Sequence, residues 1–552
     1  MSRSHRLGVA AAAVLVLLGG GVIAARRGGT VALHAPALAL DLARPDALIE
    51  TASVADLPRD LLAVPMFRDL LTEDLVTYYE QTEGRLSLMG TLRRLAYEHQ
   101  LDLGDWVIRA VIDQPADIAL WKGRDGRLGH TLVVVQRAGL TRVLEMAARI
   151  ALRDTQLRRV EGDLEVDAVR VPVYALAYAR GRVLLFSGHG DRLVILSEAA
   201  MLTDGGGRLG GAGRAVVAGL LSARPEARRV HRDHFALERG ERRHTVAVSA
   251  GYLSFGYHRL FPGVRALRFD FAHDGWATRA LFDPRVLAEH ALSTRPLWSL
   301  VPAGPSACLA LPVRWPEAAV LAEAVGMEPM EARRIVETLD GPAAVCWYAK
   351  SRLYTPLFVV RARRPLEPPE AEVLERMFTV AIGAPESRGN LGGDPRGPAS
   401  DAMPSDARVW QRAVASPAGF ARAATPLAKR FFLATLARHR SALAFSPDYR
   451  LVEDALAVAS RTYPSLADVL PDEPTVLAVL VPASLGALAE AEAFASLPAG
   501  QEPVFRNAAS AHLVPRLAAL KRYPAYALVL PGDAVPGVDR WLVVEWRPIG
   551  RP

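Results

Sequence analysis

Three stretches decide how the chain is read: LPRDLLAVPMFRDLLTEDL from Leu57, GPSACLALPVRWPEAAVLAEAV from Gly304, and LPDEPTVLAVLVPASLGALAEAE from Leu470. Aligned on Pro65, Pro312 and Pro482, each puts an apolar run before the proline and an amphipathic, helix-like run after it. Proline cannot donate to the ladder of a central strand, yet it tolerates the first turn of a helix. The alignment predicts a strand that ends at the proline and a helix that begins there, three times over.

A second pattern follows each of these. PADIALWKGRDGRLGHTLVVVQ from Pro115, PAAVCWYAKSRLYTPLFVVRA from Pro342 and PAYALVLPGDAVPGVDRWLVVEW from Pro524 each read as two apolar strands joined by a polar turn, the pattern of a hairpin. Helix-like runs follow the first two, at Leu140 and Ala371. A third element, VLLFSGHGDRLVILSEAAML from Val183, resembles ALAFSPDYRLVEDALAVAS from Ala442. This order predicts an α+β fold of antiparallel sheets covered by helices, built from two full and one partial internal repeat.

The expected boundaries are 1–28 for an N-terminal membrane anchor or signal, 29–215 for the first repeat and 216–295 for a linking β-rich segment. The second repeat spans 296–465 and the partial third 466–552. Within the linker, the alternating, aromatic-rich run from His244 reads as further strands. GGGRLGGAGR from Gly205 reads as a flexible loop, and the Gly, Pro, Ser and Asp of the run from Ser387 as an exposed insertion.

At the start, Leu7 to Ala25 is a run of nineteen uncharged residues flanked by Arg3, His5 and Arg6 before it and by Arg26 and Arg27 after it. As a helix it would extend about 28 Å, enough to cross the hydrocarbon core. A cleavable signal has a shorter apolar region and small residues before a polar cleavage site. The arginine pair directly after the span favours an uncleaved transmembrane helix.

The net charge is +7, which raises the question of nucleic acid. Only four lysines occur, Lys122, Lys350, Lys429 and Lys521, and acidic residues are interspersed throughout. No basic run is interleaved with aromatics as a stacking platform needs, so a nucleic-acid partner is not expected.

Chemistry-bearing motifs are sparse. The chain holds no GxxxxGK[ST], and its glycine-rich loops are not read as phosphate cradles. Ser249, in VAVSAG, lacks the first glycine of a nucleophile elbow. Glu73 and Asp74 read as an exposed helix face, and Trp121, Trp347 and Trp541 as packing within the hairpins. His231, His234 and His244 with Glu238 form the densest set of metal-ligand types, but four arginines interrupt it and a solvated charged face is the expected reading. Catalytic residues, cofactors and metal ligands are each expected to be none.

Two cysteines, Cys308 and Cys346, fall in the strand and hairpin of the second repeat. The repeat alignment makes their counterparts Leu61 with Ala119 and Ala478 with Leu528. Conserved total volume suggests that the two positions face each other in a core. A disulfide in an oxidising compartment is one reading, and two buried free thiols acting as small hydrophobes is the other.

The runs LDLARPDALIETASVADLPRDLLAVPMFRDLLTEDLVTYYE and EGRLSLMGTLRRLAYEHQLDLGDWVIRAVIDQPADIALW resemble the YfaA-like proteins, a bacterial family of unknown function. The likeness runs over nearly the full length, including the N-terminal span, and brings no catalytic residues with it. It implies an inner-membrane protein with its body in the periplasm, encoded beside an α2-macroglobulin-like envelope protein that would be its partner. The expected function is a non-catalytic interaction or accessory module of the envelope. The rivals are a hydrolase whose Ser, His and carboxylate converge from distant segments, and a protein that binds cell-wall or lipid ligands.

Overall fold

The computed structural model describes residues 30–31, 38–61, 114–123, 128–136, 157–203, 208–253, 264–283, 293–383, 407–415, 431–531 and 541–550, apart from a few short stretches inside these ranges. The chain divides into two compact units. Unit 1 is Met1–Leu253 with Ala266–Ala277, and unit 2 is Ser254–Arg265 with Thr278–Pro552.

Unit 1 contains β1 (Thr30–Val31), β2 (Ala47–Thr51), β3 (Ala116–Lys122), β4 (Leu128–Gln136), β5 (Leu157–Val166), β6 (Val169–Ala179), β7 (Arg182–His189), β8 (Arg192–Leu196), β9 (His244–Ser249) and most of β10 (Val264–Ala272). They lie side by side as β1-β5-β6-β7-β8-β4-β3-β2-β9-β10, every pair antiparallel except β1 with β5. Between β8 and β9 come the helices α1 (Gly211–Leu221) and α2 (Val230–His234).

The strands of unit 2 are the end of β11 (Gly275–Phe282), β12 (Ala307–Leu311), β13 (Leu339–Trp347), β14 (Leu357–Ala362), β15 (Arg408–Ala415), β16 (Phe431–His439), β17 (Ala442–Ser446), β18 (Val476–Leu480), β19 (Ala525–Val529) and β20 (Trp541–Ile549). Their order is β15-β16-β17-β14-β13-β12-β18-β19-β20-β11, antiparallel throughout. Its helices include α3 (Arg295–Trp298), α4 (Pro329–Thr338), α5 (Pro368–Gly383), α6 (Tyr449–Ala459) and α7 (Pro482–Ala495).

Period-2 alternation gives the unit 2 sheet two apolar faces. Cys308, Ala310, Ala344, Cys346, Val359 and Ala444 pack on one face with Trp298 of α3 and Leu451, Val452 and Leu456 of α6. Ala343, Val345 and Leu443 pack on the other with Ile335 and Val336 of α4 and Leu374 of α5. The Trp298 indole donates to the Val476 carbonyl at 2.9 Å, so its one polar atom is satisfied inside the core.

These findings correct the expected α+β fold of helix-covered sheets in two full and one partial repeat with a transmembrane helix. Antiparallel strands dominate the described residues. No helix among them is long and apolar enough to cross a membrane, and the run 7–25 lies outside them. The three aligned stretches are not equivalent either. The Leu57 stretch is helical at Leu57, Asp60 and Leu61, because Ser53 caps it: its Oγ accepts from the Asp56 N–H at 3.2 Å. The other two stretches contribute β12 and β18, which pair with each other as neighbours in one sheet.

A correspondence between the units lies elsewhere. The run β7-β8-β4-β3-β2-β9-β10 of unit 1 and the run β16-β17-β14-β13-β12-β18-β19 of unit 2 have the same lateral order. Equivalent backbone bonds fix the register: Asp46 N–H donates to the Leu120 carbonyl and accepts at its own carbonyl from Ser249, as Ser306 does with Trp347 and Val481. Asp46 therefore matches Ser306, Glu50 matches Ala310, and Thr51 matches Leu311.

Candidate functional site

With the register fixed, unit 2 serves as an internal reference for what the fold alone requires. Cys308 and Cys346 are direct cross-strand partners in β12 and β13, fully buried, with Cα atoms 4.0 Å apart and their sulfurs adjacent. Their counterparts in unit 1 are Leu48 and Ala119, likewise paired and buried. Ala119 is the counterpart the alignment gave, whereas Leu61 sits on the helical turn described above. Ala478 and Leu528 are also direct partners, in β18 and β19.

Two residues along the same face of unit 1, the chemistry changes. Asp117, Glu50, Thr245 and Asp270 stand in one row across β3, β2, β9 and β10. Arg268 Nε donates to Asp270 Oδ1 at 2.8 Å, and the Thr245 hydroxyl donates to the same oxygen at 2.6 Å. Arg232, from α2, pairs with Glu50. Burial pushes the Glu50 carboxyl above its ordinary range, and the neighbouring Asp117 charge pushes the same way against the pull of Arg232. Burial likewise raises Asp117. In unit 2 the positions of Asp117, Glu50, Thr245 and Arg268 are held by Ala344, Ala310, Leu477 and Ala527. The fold is thus satisfied by apolar residues here, and the charged row is particular to unit 1.

The opposite face of the same strands carries a second polar group. Thr51 and His244 are partners across β2 and β9, matched by Leu311 and Val476 in unit 2. His244 Nδ1 lies 2.8 Å from Thr51 Oγ1, and its Nε2 lies 2.9 Å from Asp60 Oδ2. The side chains of His244 and Asp60 are 0% exposed. Burial lowers the His244 pKa below the ordinary imidazole range, against the opposing pull of Asp60. A hydroxyl, an imidazole and a carboxylate in line are the parts of a nucleophilic relay, but here no face of the hydroxyl or ring is open to a substrate.

The histidines do not form a solvated face. His231 is 3% exposed, its Nε2 hydrogen-bonded to the Leu42 carbonyl at 2.9 Å and its ring edge-on to Trp121. His234 is half-buried against Phe235, and Glu238 is exposed. No group of three or more His, Cys, Asp or Glu that would hold a metal occurs among the described residues. Ser249 ends β9, where its Oγ accepts from the Tyr252 N–H at 3.3 Å, a turn rather than an elbow. The indoles of Trp121 and Trp347 donate to the Asp41 and Leu353 carbonyls, both at 2.9 Å. Glu73 and Asp74 lie outside the described residues.

Unit 2 carries an open groove of about 710 Å³ lined by Ser293, Arg295, Ser299, Ser465, Asp468 and Leu470. Its polar groups are engaged locally. Ser465 and Asp468 form a capping box, whose hydrogen bonds hold the Asp468 carboxyl below its ordinary range, and Arg295 pairs with Asp472 at 3.1 Å.

Fold and site together define a two-unit protein of antiparallel sheets with a buried charge row confined to the first unit. The chain belongs to the DUF2138 family, described as an uncharacterized protein conserved in bacteria, whose match covers residues 5–546. It is 34% identical over 523 residues to "Uncharacterized protein YfaA" of Escherichia coli (strain K12), covering 93% of this chain and 91% of that protein. No solved structure matches.

Proposed function

We propose that the protein is a non-catalytic, extracytoplasmic accessory component of the bacterial envelope, working at the inner membrane through association with other envelope proteins. The observation that carries this reading is the cysteine pair. Two buried cysteines set as cross-strand partners with adjacent sulfurs are placed for a disulfide, a bond that persists in an oxidising compartment. The apolar run 7–25 with its flanking arginines fits delivery to a membrane.

Burial of the Thr51–His244–Asp60 alignment argues for association over hydrolysis, since a nucleophile needs a path for its substrate. The partner the family resemblance implies is an α2-macroglobulin-like envelope protein. The test is affinity purification of the full chain from mildly solubilised envelopes, with fractionation in parallel. A stoichiometric envelope partner and recovery with the membrane fraction are expected; recovery from the cytosol without a partner would overturn the reading.

A further inference from the structure

We propose that Asp117 and Arg192, two charged residues of unit 1 left over once the charges around them have paired, hold between them one small zwitterion, a molecule of the α-amino acid class carrying an ammonium and a carboxylate.

The pairing around them is complete. Asp270 is taken by Arg268 and Thr245, and Glu50 by Arg232. Arg228 donates through Nε to the Ser222 carbonyl, and a terminal nitrogen of the same guanidinium lies 3.6 Å from the Asp191 carboxylate. Arg192 Nε is buried without a hydrogen-bond partner. The Asp117 carboxylate accepts no hydrogen bond from the described residues, and Arg232 and Arg192 attract it from beyond the 4.0 Å of an ion pair.

Register puts the two groups on one face of the sheet. From Asp117 the row runs through Val134 of β4 to Val194 of β8, and Arg192 stands two residues from Val194 on the same strand. Period-2 alternation turns Val194 and Arg192 the same way. The rim reaches solvent through Asp191, 59% exposed, and Arg228, 23% exposed. Unit 2 shows that the fold requires neither charge. Ala344 holds the place of Asp117, and Ala442, opposite Arg361 as Arg192 is opposite Gln136, holds the place of Arg192. Leaving charged groups enclosed and unmatched costs stability. Unit 2 avoids that cost with alanine, and a ligand that meets both groups removes it in unit 1.

The class of ligand follows from the two groups. An ionised Asp117 only accepts hydrogen bonds, and the Arg192 guanidinium only donates them. A molecule that satisfies both must bring a donor to the first and an acceptor to the second. An ammonium and a carboxylate do so with matching charge and leave the net charge of the site unchanged. A free anion would meet the like charge of Asp117, and a free cation that of Arg192, Arg228 and Arg232.

The test is isothermal titration calorimetry of the full chain with glycine, L-alanine, acetate and methylammonium as separate probes. One glycine or L-alanine per chain is expected, with acetate and methylammonium about tenfold or more weaker. The double variant Asp117→Ala with Arg192→Ala carries the residues of unit 2 and is expected to fold and to bind none of the four. Arg192→Lys keeps the charge but loses the planar fork; it is expected to weaken glycine about tenfold, giving a second readout should the double variant fail to fold. No binding of either zwitterion to the parent, acetate bound as tightly as glycine, or an affinity unchanged in the variants would overturn the proposal.

Discussion

Glu50 and Asp117 face each other directly across β2 and β3, two carboxylates in register within one buried row. Burial is the larger cause of the raised pKa at each, and their proximity adds to it at Glu50. A raised folded pKa means that the folded unit holds the proton more tightly than the unfolded chain. The stability these groups contribute is present below ~4 and is lost as pH rises through their folded values.

Asp117→Asn removes one charge while keeping the shape. It is expected to stabilise the protein at pH 8 by on the order of 1 kcal/mol and to flatten the pH dependence between 5 and 8. Thermal unfolding of parent and variant at both pH values measures this. A variant less stable than the parent at pH 8 would show that the Asp117 charge is a needed partner of Arg232.

Arg268 and Asp270 form the most enclosed ion pair of the row, with side chains 7% and 3% exposed. Removing one member leaves the other charge buried with less compensation. Arg268→Ala is therefore expected to cost about 3–5 kcal/mol, read by denaturant unfolding. The double change Arg268→Ala with Asp270→Ala is expected to recover a large part of that loss, since Ala527 occupies the matching site in unit 2.

The hairpins were legible because their signal is local. The runs from Pro115, Pro342 and Pro524 are the antiparallel pairs β3-β4, β13-β14 and β19-β20, where alternation and a polar turn fall within about twenty residues. The run from His244 gives β9, β10 and β11 in the same way. Local likeness misled where context decides: the run from Val183 is the strand pair β7-β8, whereas that from Ala442 is β17 followed by α6. Of the glycine-rich run read as a loop, Gly211 and Gly213 instead open α1. The charged row and the Thr51–His244–Asp60 group were invisible for a different reason. Glu50 meets Arg232 across a separation of 182 residues, and Thr51 meets His244 across 193. No spacing rule reaches that far; only strand register brings such residues together.

Gly486 marks a close approach within unit 2. A Cβ there would lie 2.7 Å from the Leu517 carbonyl oxygen, so α7 packs backbone to backbone against the helix Val514–Ala519. Gly486→Ala is expected to destabilise by about 1–3 kcal/mol despite alanine's better helix propensity, measured by urea unfolding. A neutral or stabilising result would mean that the two helices separate without loss.

The cysteine pair bears most directly on the proposed place of the protein in the envelope. Cells are lysed directly into denaturant containing an alkylating agent, so that buried thiols react, and the intact mass of the purified chain is measured before and after reduction. No added alkyl groups before reduction, and two once the reduced chain is alkylated, is the expected result. Two groups added before reduction would show that Cys308 and Cys346 are free thiols in the cell, and the oxidising location would fall with them.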